Sequence, residues 1–221
     1  MEFRSLDIPG YKNQPVPNTF IVQPNPTPHL GVILPGYRHS ADMADLHYAG
    51  RILLDLGADL LRVEYVYQRT DFMKQPERER DKWISSDVLA ACNAALSYRP
   101  YNKITLVGKS LGTLAVGHLL ADSRFQGADC VWSTPLLTVK WLCSRIERVR
   151  PRSLFIIGTA DQFYQPEILK HLEDVTHGRS VVIEGADHGL EIPGSIPQSL
   201  NALLQIVGAL QQFLTGAASR A

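Results

Sequence analysis

The chain has 221 residues, 45% of them hydrophobic and 20% charged, which fits one large globular domain or two small ones. Its 22 Lys and Arg residues balance its 22 Asp and Glu residues, so no global field attracts nucleic acid or an anionic membrane. We therefore expect a small-molecule partner held in a pocket, with no nucleic acid and no membrane involved.

The chain has three cysteines, and each lies in an apolar run: Cys92, Cys130 and Cys143. None belongs to a CxxC pair, so we predict buried thiols rather than a disulfide framework or a zinc site. The first residues lack the basic start and apolar core of a signal peptide. No apolar run approaches the ~18 residues that span a bilayer. A cytoplasmic location is the expectation.

Strand-like and helix-like segments alternate along the chain. The segments 2–8 and 19–23 are joined by a turn-rich link and could form an antiparallel edge. The apolar runs that follow predict strands at 30–36, 58–67, 103–110, 128–136, 153–161 and 180–187. The helical periods predict helices at 42–56, about 80–98, 111–122, 138–149, 165–174 and about 195–214.

The predicted strands are apolar throughout instead of alternating between apolar and polar residues. Such strands are buried on both faces, which indicates a parallel sheet covered by helices on either side. In sheets of this kind the reactive groups gather at the carboxyl ends of the strands. We therefore look for functional residues immediately after each strand.

One motif occupies such a position, because the residues from Gly108 to Gly112 read G-x-S-x-G. An apolar strand precedes the motif and a helix begins directly after Ser110. A serine on so tight a turn is held in a strained conformation with its hydroxyl exposed, which predicts a nucleophile. The alternative is a glycine-rich turn in which Ser110 only caps the helix.

A serine hydroxyl needs a base to remove its proton. Two later strands end at residues that could complete the site, Asp161 and His188, in the order acid and then histidine. His188 would act as the base and Asp161 would orient its ring. The alternatives are a turn histidine and a helix-capping aspartate. Asp187 adjoins His188, its side chain should point away from it, and we interpret it as a turn former.

The negative charge that develops on an attacked carbonyl needs N–H donors. We expect these from the backbone amide of Leu111, after the nucleophile, and from that of Tyr37, where Gly36 lets the chain turn. The side chains of Tyr37, Arg38 and His39 would shape the substrate pocket. Segment 67–80 could form another wall, with Arg69 or Arg38 binding a substrate carboxylate; a solvated loop is the alternative there.

The segments LPGY, GKSLG, GTAD and GADHGL, in that order and on those elements, resemble the α/β-hydrolase superfamily, in particular its compact branch with a GKSxG turn. The resemblance implies a three-layer α/β/α sandwich. Its sheet would be mostly parallel and eight-stranded with an antiparallel second strand. It also implies a Ser–Asp–His triad and no cofactor. Only about fifteen residues separate the strand near 132 from that near 153, so we expect a single domain over 1–221 without a large cap.

From these residues we expect a serine hydrolase that cleaves a small to medium soluble ester or thioester through an acyl-serine intermediate. No metal should be required, since no cluster of residues has ligand spacing. Two alternatives stay open. One is a non-catalytic interaction module that keeps the fold. The other is a hydrolase-fold enzyme of different chemistry, such as a C–C hydrolase or a haloperoxidase-like enzyme. The sequence does not indicate an oligomeric state.

Overall fold

The structure is a computed structural model, and it describes residues 1–216. Its strands are β1 (Glu2–Arg4), β2 (Asn18–Val22), β3 (His29–Leu34), β4 (Asp59–Val63), β5 (Lys103–Lys109), β6 (Asp129–Ser133), β7 (Ser153–Gly158) and β8 (Arg179–Ile183). Its α-helices are α1 (Ala44–Asp55), α2 (Glu77–Leu96), α3 (Leu111–Leu119), α4 (Lys140–Val149), α5 (Pro166–Thr176) and α6 (Ile196–Thr215).

The eight strands form one sheet in the order β1-β2-β4-β3-β5-β6-β7-β8. Strand β2 runs antiparallel to both of its neighbours, and every pair from β4 to β8 is parallel. The predicted sheet, with its antiparallel second strand, is therefore confirmed. Because neighbouring strands from β3 onward point the same way, their carboxyl ends meet at one edge of the sheet.

Helices cover both faces of the sheet and complete a three-layer sandwich. Buried side chains of α2, α3, α4 and α5 pack in one apolar cluster, and those of α1 and α6 pack in another. Strand β3 lies between them with all six of its residues buried. Burial on both faces explains why the strands do not alternate between apolar and polar residues.

Several strands end earlier than their apolar runs predict. The strand predicted at 128–136 corresponds to β6, which ends at Ser133. The strand predicted at 180–187 corresponds to β8, which ends at Ile183. The chain turns at these points, as the positive φ of 41° at Thr134 shows, but it stays buried, as at Ala186. An apolar run in the sequence therefore indicates burial rather than strand length, because buried residues continue from the strands into the turns at the carboxyl edge.

The connection from β6 to β7, residues 134–152, contains the ten-residue helix α4. The lack of a large cap and the assignment of 1–221 to one domain stay predictions. Cys92 and Cys130 are buried free thiols, and Cys143 is a half-buried one. Among residues 1–216, no helix combines the length and the apolar character needed to cross a membrane.

Candidate active site

Ser110 occupies the turn between β5 and α3 with φ 51° and ψ −115°. This is a strained conformation for a residue other than glycine, and the surrounding packing has to hold it. A Cβ on Gly112 would lie 1.9 Å from the Leu34 carbonyl oxygen, and one on Gly108 would lie 2.6 Å from the Gly112 carbonyl oxygen. The two glycines therefore allow α3 to begin directly against the strands, with Ser110 at the carboxyl edge of the sheet.

Three side chains that the sequence analysis singled out meet at this edge. His188 Nε2 lies 2.8 Å from Ser110 Oγ, and His188 Nδ1 lies 2.8 Å from Asp161 Oδ2. The Asp161 carboxylate is fully buried, and its other oxygen accepts a hydrogen bond from the Phe163 amide at 2.9 Å. A carboxylate beside Nδ1 favours the ring tautomer with its proton there, which leaves Nε2 free to accept the serine proton.

Adjacent parallel strands bring the histidine and the aspartate together. Asp161 follows β7 and His188 follows β8, and these strands pair through Gly158 and Ile183 at their carboxyl ends. A Cβ on Gly158 would lie 2.0 Å from the Ala186 carbonyl oxygen, so a glycine is needed where the two loops approach each other.

Asp187 has a different environment, although it adjoins His188. Its Oδ1 accepts hydrogen bonds from the Gly189 amide at 2.8 Å and from the Glu191 amide at 3.2 Å. The side chain therefore stabilises its own turn, as its interpretation as a turn former anticipated.

The loop after β3 lies next to the turn that carries Ser110, because Leu34 pairs with Gly108 in the sheet. We call residues 108–112 the nucleophile turn, after the role proposed for Ser110. A Cβ on Gly36 would lie 3.1 Å from Ser110 Cβ, which is tighter than ordinary contact. Tyr37 follows at this point of closest approach. Leu111 is the first residue of α3, so its amide has no acceptor within the helix. Donation by the amides of Tyr37 and Leu111 to a substrate oxygen stays a prediction.

His39 packs behind Gly36, and its Nδ1 would lie 2.9 Å from a Cβ placed there. Burial lowers the pKa of His39, and the nearby charges of Lys109 and His188 lower it further. The ring is therefore neutral at neutral pH, and its buried Nδ1 has no hydrogen-bond partner among the described residues.

A cavity of about 340 Å³ opens beside Ser110 on the side of α3 and α4. Most of its wall is apolar, and one turn of α2 adds Glu77, Arg80 and Asp81. The remaining lining residues are Tyr37, Phe72, Met73, Ile84, Leu111, Leu114, Leu136, Val139, Trp141 and Phe163. Segment 67–80 contributes Phe72 and Met73 to this lining, which favours the pocket wall over the solvated loop for these two residues.

The structure does not place the two predicted arginines at this cavity. In the described part of the chain, Gly36, Arg38, His39 and Arg69 are not among its lining residues, and both arginines are exposed. Arg38 lies over the Tyr37 ring, 5.4 Å from its centre. Among the described residues, the basic residue that lines the cavity is Arg80, in the first turn and a half of α2.

Most residues of the apolar wall were not predicted from the sequence. Leu111 and Leu114 are three residues apart on α3 and share one face of that helix, which was a usable signal. Trp141 and Phe163 come from separate loops and helices, and their pattern does not differ from that of core residues. Such residues reach the cavity only through the packing of α4 and of the loop after β7.

A buried ion pair lies directly behind the nucleophile turn. Lys109 is fully buried with its Nζ 3.3 Å from Asp45 Oδ2, and the Ser133 hydroxyl donates to the same carboxylate oxygen. The contacts join α1 to the ends of β5 and β6, next to Ser110.

Among residues 1–216, no group of three or more His, Cys, Asp or Glu side chains could hold a metal ion.

The sheet order, the strained serine turn and the loops that follow β7 and β8 define an α/β-hydrolase. The family model of the alpha/beta hydrolase domain matches residues 39–214, and the chain belongs to this family. No curated protein matches the chain.

Solved structures with the same fold cover nearly the whole chain. A serine hydrolase without a lid from Xanthomonas campestris aligns with a TM-score of 0.70 at 17% identity, covering 100% of this chain and 97% of that one. The esterase Pf2001 of Pyrococcus furiosus gives 0.69 at 15% identity, covering 97% and 92%. A dienelactone hydrolase from Anabaena variabilis gives 0.68 at 16% identity, covering 98% and 99%. At these identities the likeness supports the fold alone.

Proposed function

We propose that the chain is a serine hydrolase that cleaves small to medium esters or thioesters, with Ser110 as nucleophile, His188 as base and Asp161 as the orienting acid. The observation that carries this proposal is the unbroken hydrogen-bonded series from the Asp161 carboxylate through both ring nitrogens of His188 to the Ser110 hydroxyl. The strained backbone of Ser110 supports it, because local strain of this kind is retained where it serves function.

In the proposed acylation step, Ser110 Oγ attacks the substrate carbonyl carbon while His188 Nε2 accepts the hydroxyl proton. The carbonyl oxygen becomes an oxyanion, which the backbone amides of Leu111 and Tyr37 stabilise. The intermediate then collapses, the bond to the alcohol or thiol breaks, and His188 protonates the leaving group. Water attacks the acyl-serine with His188 again as base, which releases the carboxylic acid and restores the serine.

The cavity beside Ser110 points to the substrate class. Its volume of about 340 Å³ is near the lower end of small-molecule sites, and its wall is mostly aliphatic and aromatic. We assign it to the acyl group, which would then be apolar and of small to medium length. The Xanthomonas campestris relative, described as a serine hydrolase without a lid, supports an uncapped site of this kind.

A fluorophosphonate probe tests the proposal directly. We expect it to label the folded protein at Ser110, with labelling lost in Ser110→Ala and retained in Ser97→Ala, which changes an exposed serine. Turnover of a p-nitrophenyl ester should fall by about four to six orders of magnitude in Ser110→Ala and in His188→Ala. The double variant should lose little more, because both residues serve one proton transfer.

Two results would contradict these roles. Folded protein that neither reacts with the probe nor hydrolyses any member of an ester and thioester panel would favour the non-catalytic interaction module. Additive losses in the double variant would mean that Ser110 and His188 do not share a proton.

Asp161→Asn should lower turnover about 10⁴-fold, because the amide favours the wrong tautomer of the His188 ring. A larger loss of turnover in Asp187→Asn would identify Asp187 as the acid.

A further inference from the structure

Helix α6 exposes an apolar surface that the proposed chemistry does not use. None of its 20 residues is charged, although one side of the helix faces solvent. Ile196, Leu200 and Leu204 are 77%, 61% and 72% exposed. They are four residues apart and therefore form one row on the helix surface. Contiguous exposed apolar surface of this kind marks an interaction site more often than single exposed side chains do.

The row continues to Gly208, where a small residue replaces the large ones. A Cβ on Gly208 would meet no heavy atom of the described residues within 4 Å, so the space above it is open. We call Ile196, Leu200, Leu204 and Gly208 the α6 ridge. Rows of residues spaced by four are the ridges that pack against one another in the commonest class of helix contacts.

The α6 ridge is complementary to itself. In a contact with two-fold symmetry, residue i meets residue j and residue j meets residue i. An axis through Leu204 brings the two Leu204 side chains together and places each Leu200 over Gly208 of the partner subunit. The large side chain then fills the open space above the glycine, and neither copy presents a charge to the other.

We propose that the α6 ridge is the interface of a homodimer in which α6 packs against its own copy. A second copy is favoured over a lipid surface because interfacial helices carry Lys or Arg beside their apolar face, and α6 carries neither. A second copy is also favoured over a charged partner, because the α6 ridge has no charged group that could pair with the partner's charges.

The apolar surface extends beyond the ridge, which a stable dimer requires. A groove of about 400 Å³ runs beside the first half of α6, and Met43, Leu190 and Leu203 line it. Two of the three acidic side chains in this groove, Asp42 and Asp45, are already paired with basic groups. The groove therefore widens the contact toward α1 with little unpaired charge.

Light scattering coupled to size exclusion, together with sedimentation equilibrium, tests the proposal on the full chain at micromolar concentrations. We expect twice the chain mass of 24.6 kDa. Leu204→Glu would place two carboxylates against each other at the axis and should raise the dissociation constant at least about a hundredfold. Phe3→Glu is the matched control, because Phe3 is 69% exposed on β1 at the opposite end of the sheet order.

A size exchange tests the register. Gly208→Leu should fold normally, since the space above it is open, but it should weaken the dimer by crowding Leu200 of the partner subunit. Leu200→Ala combined with Gly208→Leu exchanges large for small and should restore association. Circular dichroism and melting temperature establish that each variant is folded.

Three results would overturn the proposal. These are a wild-type chain that stays monomeric, a dimer whose dissociation constant is unchanged by Leu204→Glu, and a monomer that binds lipid vesicles through α6.

Discussion

Replacing Leu114 with tryptophan should convert the proposed enzyme into one that accepts only short acyl groups. Leu114 lies one helical turn after Ser110 and lines the cavity of about 340 Å³. The residue is only partly buried, so the larger indole can extend into the cavity rather than into the core. The triad side chains and the glycines of the nucleophile turn are unchanged by this substitution.

The expected size of the effect follows from the apolar wall. Each methylene that leaves water for an apolar site gains ~0.8 kcal/mol, which corresponds to about fourfold in kcat/KM. If the indole excludes about three methylenes, the loss is about 2.4 kcal/mol, or about 60-fold, for an acyl chain that fills the cavity. We expect an acetyl group to be too short to contact this part of the wall, so kcat/KM for the acetyl ester should change by less than about threefold.

The assay is kcat/KM for p-nitrophenyl esters from acetyl to decanoyl, below the solubility limit of each ester. Wild-type values should rise with chain length until the cavity is full and then level off. The rise should end earlier in Leu114→Trp, whereas the control Leu56→Trp, at an exposed position beyond α1, should leave the profile unchanged. An equal loss at every chain length would refute the assignment of the cavity to the acyl group without refuting the role of Ser110.

Three further predictions concern stability and follow from buried groups. Gly112→Ala should lower the free energy of unfolding by at least about 3 kcal/mol, because its Cβ would lie 1.9 Å from a carbonyl oxygen of β3. Gly127→Ala, in open space, should change it by less than about 0.5 kcal/mol, and denaturant melts that rank the two variants in the opposite order would contradict this. Burial lowers the pKa of His29 from 6.5 to about 4. Between pH 6.5 and pH 4 the ring is therefore protonated in the unfolded chain and neutral in the folded one. About 3 kcal/mol of stability should therefore be lost as the pH falls through that window, and a His29→Gln variant with the same pH dependence would disprove it. Lys109→Met should cost about 3–5 kcal/mol by leaving Asp45 buried without its partner, and adding Asp45→Leu should recover much of that; a neutral single variant in urea titration would show that the pair contributes nothing.

The proposed nucleophile and its proposed partners could be singled out from the sequence because their signals are local. Ser110 was identified from five consecutive residues between a strand and a helix, and Asp161 and His188 from their positions after apolar strands. Ser110 and His188 are 78 residues apart in the chain, and the structure brings them within hydrogen-bond distance. The rule that parallel strands end at one edge of the sheet was enough to anticipate that meeting.

The walls of the site were not accessible in the same way. Arg38 and Arg69 were expected at the pocket because they follow strands, but the side chains that line it are mostly apolar. An apolar residue that lines a cavity and one that fills the core have the same pattern in sequence, because both are excluded from water. The packing of α4 against α3 and the loop after β7 decide which of them, such as Trp141 and Phe163, meet at Ser110.

The order and type of the elements, the parallel sheet and the residues at its carboxyl edge could be predicted from the residues alone, whereas the antiparallel second strand followed from the resemblance to α/β-hydrolases. Periodicity and glycine spacing act over a few residues, so they can be read without knowing the partners. The shape of the cavity, the buried pair of Lys109 and Asp45, and the exposure of Leu200 and Leu204 on α6 became visible only in the folded chain. These properties depend on contacts between distant segments, and α6, which exposes Gln198 and Gln205 beside its leucines, gives no clear local sign of which leucines stay in water.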